Sequence, residues 1–128
     1  SYALAATVTP ISGLRMSAVY NQYDNNYSDW SPGAREYDGS DADADREQVW
    51  KAPGYSKVDL HASYALPISG YDVSLFGHVF NATDAIFVQD AVDHSQYNSY
   101  GDKTHAAHNA EVFLGTPRYF NVGIAVSL

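Results

Sequence analysis

Alternation of apolar and polar residues in five short segments constrains the fold of this 128-residue chain most strongly. Side chains along a β-strand point to opposite faces in turn, so a period of two predicts strands with two chemically different faces. The clearest case is the segment 55–66, where the apolar Leu60 and the polar His61 point to opposite faces. We predict strands near 2–8, 14–30, 55–66, 71–81 and 118–128. The sequence therefore predicts an all-β chain.

The composition supports this prediction and excludes several classes of protein. Eleven Tyr and nine Gly accompany a single Met, which favours strands and turns over helices. No stretch approaches the roughly 18 consecutive apolar residues that a transmembrane helix needs. The net charge of −8, without a cluster of Lys and Arg, argues against nucleic acid as a partner. The absence of cysteine excludes disulfides, thiolate metal sites and cysteine nucleophiles.

The connections between the predicted strands alternate between short and long. The segments 9–13 and 67–70 are short and contain Pro and Gly, which favour tight turns. The segments 31–54 and 82–117 are longer than ordinary loops in compact domains. In an antiparallel sheet this alternation puts both long connections at the same end. Short turns at one end and long loops at the other are typical of outer-membrane barrels, so we predict 31–54 and 82–117 as outer loops.

Five strands do not close a membrane barrel, because an open edge leaves backbone groups without hydrogen bonds in hydrocarbon. We therefore expect residues 1–128 to form one unit, an antiparallel segment of about five strands of a larger transmembrane β-barrel. The remaining strands belong either to a longer polypeptide, which we favour, or to further chains in a shared barrel.

Two short motifs carry a resemblance to one family. The segment Asn81 to Asp84 follows one predicted strand, and Gly115 to Arg118 opens the last. Together with Val58 to Tyr64, they resemble the C-terminal part of TonB-dependent outer-membrane receptors. In that family the penultimate strand typically ends in Asn-Leu-Phe-Asp or Asn-Leu-Thr-Asp, and the last opens with Gly-x-Pro-Arg. Ala82 departs from the family's Leu.

The resemblance implies a fold, a function and a set of partners. It implies a plugged barrel of about 22 strands that takes up a scarce ligand such as a ferric siderophore. The implied location is the bacterial outer membrane, and the implied partners are its lipid, the remaining barrel strands and plug of the same receptor, and the inner-membrane TonB complex. The plug domain is not part of these 128 residues. We expect no catalytic residues, no bound metal and no cofactor.

The apolar faces of the last three predicted strands provide the expected lipid contacts. We predict that the membrane-facing residues are Val58, Leu60, Tyr64, Leu66, Val73, Leu75, Val79, Phe120, Val122, Ile124, Val126 and Leu128. The end of the chain also resembles the signal for insertion of outer-membrane barrels, through Asn121, Gly123, Val126 and Leu128. On the opposite face we expect His61 and His78 to form hydrogen bonds with the barrel wall or the plug.

Candidate ligand-binding residues lie in the two long segments. We name His94, His105, His108, Tyr37 and Trp50 as candidates, and note that His105 and His108 are three residues apart, as on one helical turn. The acidic segment Asp38 to Asp45 does not follow the EF-hand pattern, and calcium binding there stays open.

Two other functions stay open at this point. A soluble β-sandwich that binds carbohydrate would use Tyr and Trp side chains as stacking platforms. A multichain outer-membrane pore would close its barrel with further copies of the chain.

Overall fold

The computed structural model describes residues 1–30, 48–94 and 104–127. Their strands are β1 (Tyr2–Ile11), β2 (Leu14–Tyr23), β3 (Tyr55–Leu66), β4 (Asp72–Phe80), β5 (Val88–Asp93), β6 (Ala110–Leu114) and β7 (Tyr119–Ser127). The chain divides into two compact units, the first formed by Ser1–Tyr23, Tyr55–Ile86 and Thr116–Leu128, and the second by Asp24–Gly54 and Phe87–Gly115.

The first unit is a five-stranded antiparallel sheet in the order β1, β2, β3, β4, β7. Each strand pairs with the next strand of this unit along the chain, so the sheet is a simple meander. This result confirms the prediction of an all-β, antiparallel fold. Since Tyr23 pairs with Tyr55 and Phe80 with Tyr119, both long connections leave the sheet from the same end.

The turn between β1 and β2 depends on Gly13. Its φ of +81° lies in the left-handed region, which side chains with a Cβ rarely adopt. An added Cβ would also approach the carbonyl oxygen of Ala65 to 2.9 Å. The same glycine accepts a hydrogen bond from the amide of Ala65, at 2.9 Å, so this turn is attached to β3.

Strand β2 ends before the predicted boundary at Trp30. The strand stops at Tyr23, and Asn25 then adopts a φ of +60°. Asn tolerates this left-handed conformation, which interrupts the extended backbone that a ladder requires. Beyond it, Tyr27 and Asp29 form only isolated bridges, with Lys51 and Val92.

The second unit contains a short antiparallel pair of strands, β5 and β6. Both lie within 82–117, which the sequence predicts as an outer loop, and a 3₁₀ helix, Ala107–Asn109, precedes β6. A register shift between Val88 and Asp90 interrupts the pairing. The buried apolar side chains of the described residues all belong to this unit: Val49, Ala52, Phe87 and Ala91.

The described parts of the chain contain no helix long and apolar enough to cross a membrane.

Candidate functional site

One face of the five-stranded sheet is apolar across all of its strands. The ladder aligns one row of side chains from Val8, Met16, Ala62, Gly77 and Val122, and a neighbouring row from Ala6, Ala18, Leu60, Val79 and Phe120. A third row contains Leu14, Tyr64, Leu75 and Ile124. The register puts every described residue of the predicted membrane-facing set on this one face, which we call the apolar face. Leu128 lies outside the described residues.

The apolar face has no cover within the described residues. On β7, Val122 is 79% exposed and Phe120 is 75% exposed. Leu60, on the central strand β3, is still 41% exposed. Burial of a side chain of this size stabilises a protein by about 1.5–3 kcal/mol, so the uncovered sheet forgoes a large part of its possible stabilisation. A face of this kind requires contact with another apolar phase or layer.

Strands β1 and β2 extend the apolar face beyond the residues that we predicted from the sequence. Leu4, Val8 and Met16 are all exposed and share the register rows of the predicted set. Leu4 and Val8 alternate with small or polar residues such as Ala5 and Thr7. The same alternation identified the predicted membrane-facing residues of the other strands, so it could also have identified these residues of β1 and β2.

The opposite face carries mainly small and polar side chains, with Phe76 and Phe80 as large apolar exceptions, and two histidines meet at its centre. One register row crosses all five strands through Thr7, Ser17, His61, His78 and Asn121. The Nδ1 atoms of His61 and His78 are 2.6 Å apart. The ring centroids of Phe76 and Phe80 lie 5.6 and 5.9 Å from that of His78. We expected each histidine to form a hydrogen bond with the barrel wall or the plug; in the structure, the two histidines form a hydrogen bond with each other.

Asn81 connects the two sequence motifs. Its side chain is buried and its φ is +49°. The Nδ2 atom donates to the carbonyl oxygens of Ala85, at 2.9 Å, and Thr116, at 3.2 Å. The Oδ1 atom accepts from the amide of Ala85 at 3.0 Å. The backbone amide of Asn81 donates to Oδ1 of Asp59, on β3, at 2.9 Å.

Asp84 makes the second connection between the motifs. Its Oδ1 accepts a hydrogen bond from the amide of Arg118 at 3.0 Å, and its Oδ2 lies 3.9 Å from Nη2 of the same arginine. The residues after β4 are therefore attached to the residues before β7 at two points. The sequence marked both motifs as strand boundaries, but nothing in it indicated that they contact each other.

Gly123 lies under the aromatic ring of Phe76, its partner on β4. A Cβ added at Gly123 would overlap the Cζ atom of Phe76. An aromatic side chain that covers a glycine on a neighbouring strand is a recognised way to stabilise a sheet at that position. The contact with the Phe76 ring therefore gives a packing reason for glycine at position 123. Gly123 is also one of the four residues that resemble the insertion signal.

We expect Gly123→Ala to destabilise the sheet because the new methyl group displaces the Phe76 ring. In a double-mutant cycle with Phe76→Ala, measured by urea unfolding in detergent, the coupling energy should be about 0.5–3 kcal/mol. Gly77→Ala is the matched control, because its added Cβ would meet Val122 at an ordinary 3.6 Å. A coupling energy near zero would contradict this packing role.

The candidate ligand-binding histidines of the second unit occupy different environments. The Nδ1 atom of His105 donates to Oδ2 of Asp93 at 2.7 Å, and both side chains are almost fully buried. The ring of Trp30 packs on the imidazole of His105, with 3.8 Å between the two ring centroids. In contrast, His108 is exposed, and the exposed His94 lies 2.9 Å from Glu111. His105 and His108 therefore do not present one common surface.

The remaining candidate ligand-binding residues are Trp50 and Tyr37. Trp50 is half-buried, and its carbonyl oxygen accepts a hydrogen bond from the amide of Ser28 at 2.9 Å. Tyr37 and the acidic segment Asp38 to Asp45 lie outside the described residues. Among the described residues, no three or more His, Asp or Glu side chains are arranged to hold a metal ion.

Comparison with protein-family models, with curated proteins and with solved structures finds no match to this chain.

Proposed function

We propose that this chain forms part of the barrel wall of a TonB-dependent outer-membrane receptor, which takes up a scarce ligand such as a ferric siderophore. The uncovered apolar face of the five-stranded sheet carries the proposal. In water this face would leave large aliphatic and aromatic side chains exposed, whereas lipid would cover them at no cost in backbone hydrogen bonds. The opposite face, with its small and polar residues, would line the interior.

The dimensions of the strands are consistent with this role. The five strands contain 10, 10, 12, 9 and 9 residues. A tilted transmembrane strand needs about 9–11 residues to cross the hydrocarbon core. Tyr20 lies on the apolar face near the end of the sheet from which the long connections leave, where its amphipathic ring would lie at a membrane interface.

Within the described residues, the outer strands of the sheet, β1 and β7, each pair with one other strand. In hydrocarbon their open edges would leave backbone donors and acceptors unpaired at several kcal/mol each, so further strands must pair with them. We assign these strands to the same receptor, together with its plug, and we assign the energy for uptake to the inner-membrane TonB complex. The motifs around Asn81 and Arg118 are the basis for this choice of family.

A soluble carbohydrate-binding sandwich is the less favoured function. A sandwich buries the apolar face of one sheet against a second sheet. In the described residues, no apolar side chain of the five-stranded sheet is buried. A multichain pore would use the same apolar face and would differ in what pairs with β1 and β7.

The proposal is tested by measuring lipid contact residue by residue. The chain has no cysteine, so single cysteines can be introduced without a background. We expect a fluorophore on Val122→Cys or Ile124→Cys to be quenched strongly by brominated acyl chains, in protein purified from producing cells and reconstituted into vesicles. Ala125→Cys is the matched control, since Ala125 is exposed on the opposite face of the same strand.

Two results would contradict the proposal. One is equal quenching at all three positions, which means that the two faces of β7 meet the same environment. The other is a folded, monodisperse monomer that needs neither detergent nor lipid. Cross-links that join β1 of one chain to β7 of another would instead support the multichain pore.

A further inference from the structure

The side chains of His61 and His78 contact each other directly in the five-stranded sheet. The two residues are direct partners on β3 and β4, and both are half-buried. Their Nδ1 atoms approach to 2.6 Å, with the ring planes at 64° to each other. At this distance one Nδ1 donates its proton and the other accepts it with its lone pair. The Nδ1 atoms of the two histidines therefore face the same small volume on one face of the sheet.

This geometry is close to that of two imidazoles on one metal ion. Metal–nitrogen distances of about 2.0–2.1 Å separate two nitrogens by roughly 2.9 Å at the right angle of a tetragonal site and by roughly 3.3 Å at a tetrahedral angle. The histidines would have to separate by roughly 0.3–0.7 Å, which small rotations of the side chains provide. The neutral imidazole that carries its proton on Nδ1 would carry it on Nε2 instead, so both Nδ1 lone pairs become available without loss of a proton.

The surroundings favour one class of metal ion. Ser17 is the register partner of His61 and Asn121 that of His78, so two further oxygen-bearing side chains share the row of the pair. Asp59 points to the same face, but its Oδ1 accepts the amide of Asn81. Imidazole suits copper, zinc and nickel, whereas calcium and magnesium require several oxygen ligands.

We propose that His61 and His78 form a two-histidine site for a divalent transition-metal ion, with Cu²⁺ bound more tightly than Zn²⁺. Water would complete the coordination, and the order of the two metals follows from the general ranking of divalent ions. The inference needs only the folded sheet. It does not depend on the proposed location in the membrane or on transport.

The test is a titration of the detergent-purified protein with Cu²⁺, followed by electron paramagnetic resonance. We expect one Cu²⁺ per chain whose spectrum shows coupling to two imidazole nitrogens. His61→Gln and His78→Gln should each remove one of these couplings and weaken binding, while circular dichroism reports whether the strands are retained. Thr7→Ala is the matched control and should change neither quantity, because Thr7 shares the register row of the pair but lies on β1, two strands away from His61.

Three results would overturn this inference. The first is a Cu²⁺ spectrum of the unaltered protein without two-nitrogen coupling. The second is the same spectrum in a folded His61→Gln variant, and the third is loss of the signal in the Thr7→Ala variant. None of these results would affect the lipid-quenching test, so failure of the metal site and failure of the proposed function are distinguishable.

Discussion

On the outer-membrane location that we propose, Ile124→Arg is expected to prevent stable insertion of the protein. Ile124 is 60% exposed on the apolar face of β7 and aligns with Leu75 and Tyr64. A guanidinium group at a lipid-facing position near the middle of a barrel strand costs about 2–4 kcal/mol. The expected result is a large fall in the folded, membrane-inserted fraction, measured by the heat-modifiable electrophoretic mobility of isolated outer membranes.

Ala125→Arg is the control for this prediction. It introduces the same charge one residue further along β7, but on the opposite face. Insertion of this variant should be close to that of the unaltered protein, because the proposed interior is polar and tolerates charge. Equal loss in both variants would contradict the assignment of the faces. On the proposed function, the same cells take up a ferric siderophore in a step that a protonophore abolishes. This uptake should be lost with Ile124→Arg and retained with Ala125→Arg.

Asn81→Ala is expected to cause the largest loss of stability from a single polar side chain. The change leaves the carbonyl oxygens of Ala85 and Thr116 without their donor and the amide of Ala85 without its acceptor. Each of these three hydrogen bonds contributes about 0.5–1.5 kcal/mol, and alanine adopts the φ of +49° less readily than asparagine. We expect a total of about 3–5 kcal/mol, measured as the shift in urea unfolding in detergent micelles.

Thr83→Ala provides a control in the same turn. Thr83 is exposed, and its hydroxyl lies 3.5 Å from Oδ1 of Asn81, at the limit of a hydrogen bond. Its removal should change stability by no more than about 0.5 kcal/mol. If the two variants unfold at the same urea concentration, Asn81 does not hold the two motifs together.

The sequence predicted the five strands of the sheet more successfully than it predicted the second unit. Strand β3 was found with its correct ends, 55–66, because its alternation is regular and Pro67 follows it. Strands β5 and β6 were missed because they are short, lack a clear two-residue period and pair through an irregular register. Their side chains pack within a unit of mixed polarity, so no simple face pattern marks them.

The contacts within the candidate sites could not be predicted from the sequence, for a related reason. Asn81 and Thr116 are 35 residues apart, and the histidine pair spans 17. Both contacts depend on the register of a sheet, which a pattern of residue types does not fix to the single position. The burial of His105 beside Asp93 depends likewise on how the second unit folds.

The attachment of Asn81 and Asp84 to Thr116 and Arg118 has a consequence for how this chain can vary. The long segment between the two motifs has both ends tied to one small cluster of hydrogen bonds. The entropic cost of closing a loop grows slowly with its length, by only about 0.6 kcal/mol for each doubling. Insertions, deletions or whole replacements between residues 86 and 115 should therefore cost the sheet little. The five-stranded sheet can therefore stay constant while the sequence between residues 86 and 115 diverges.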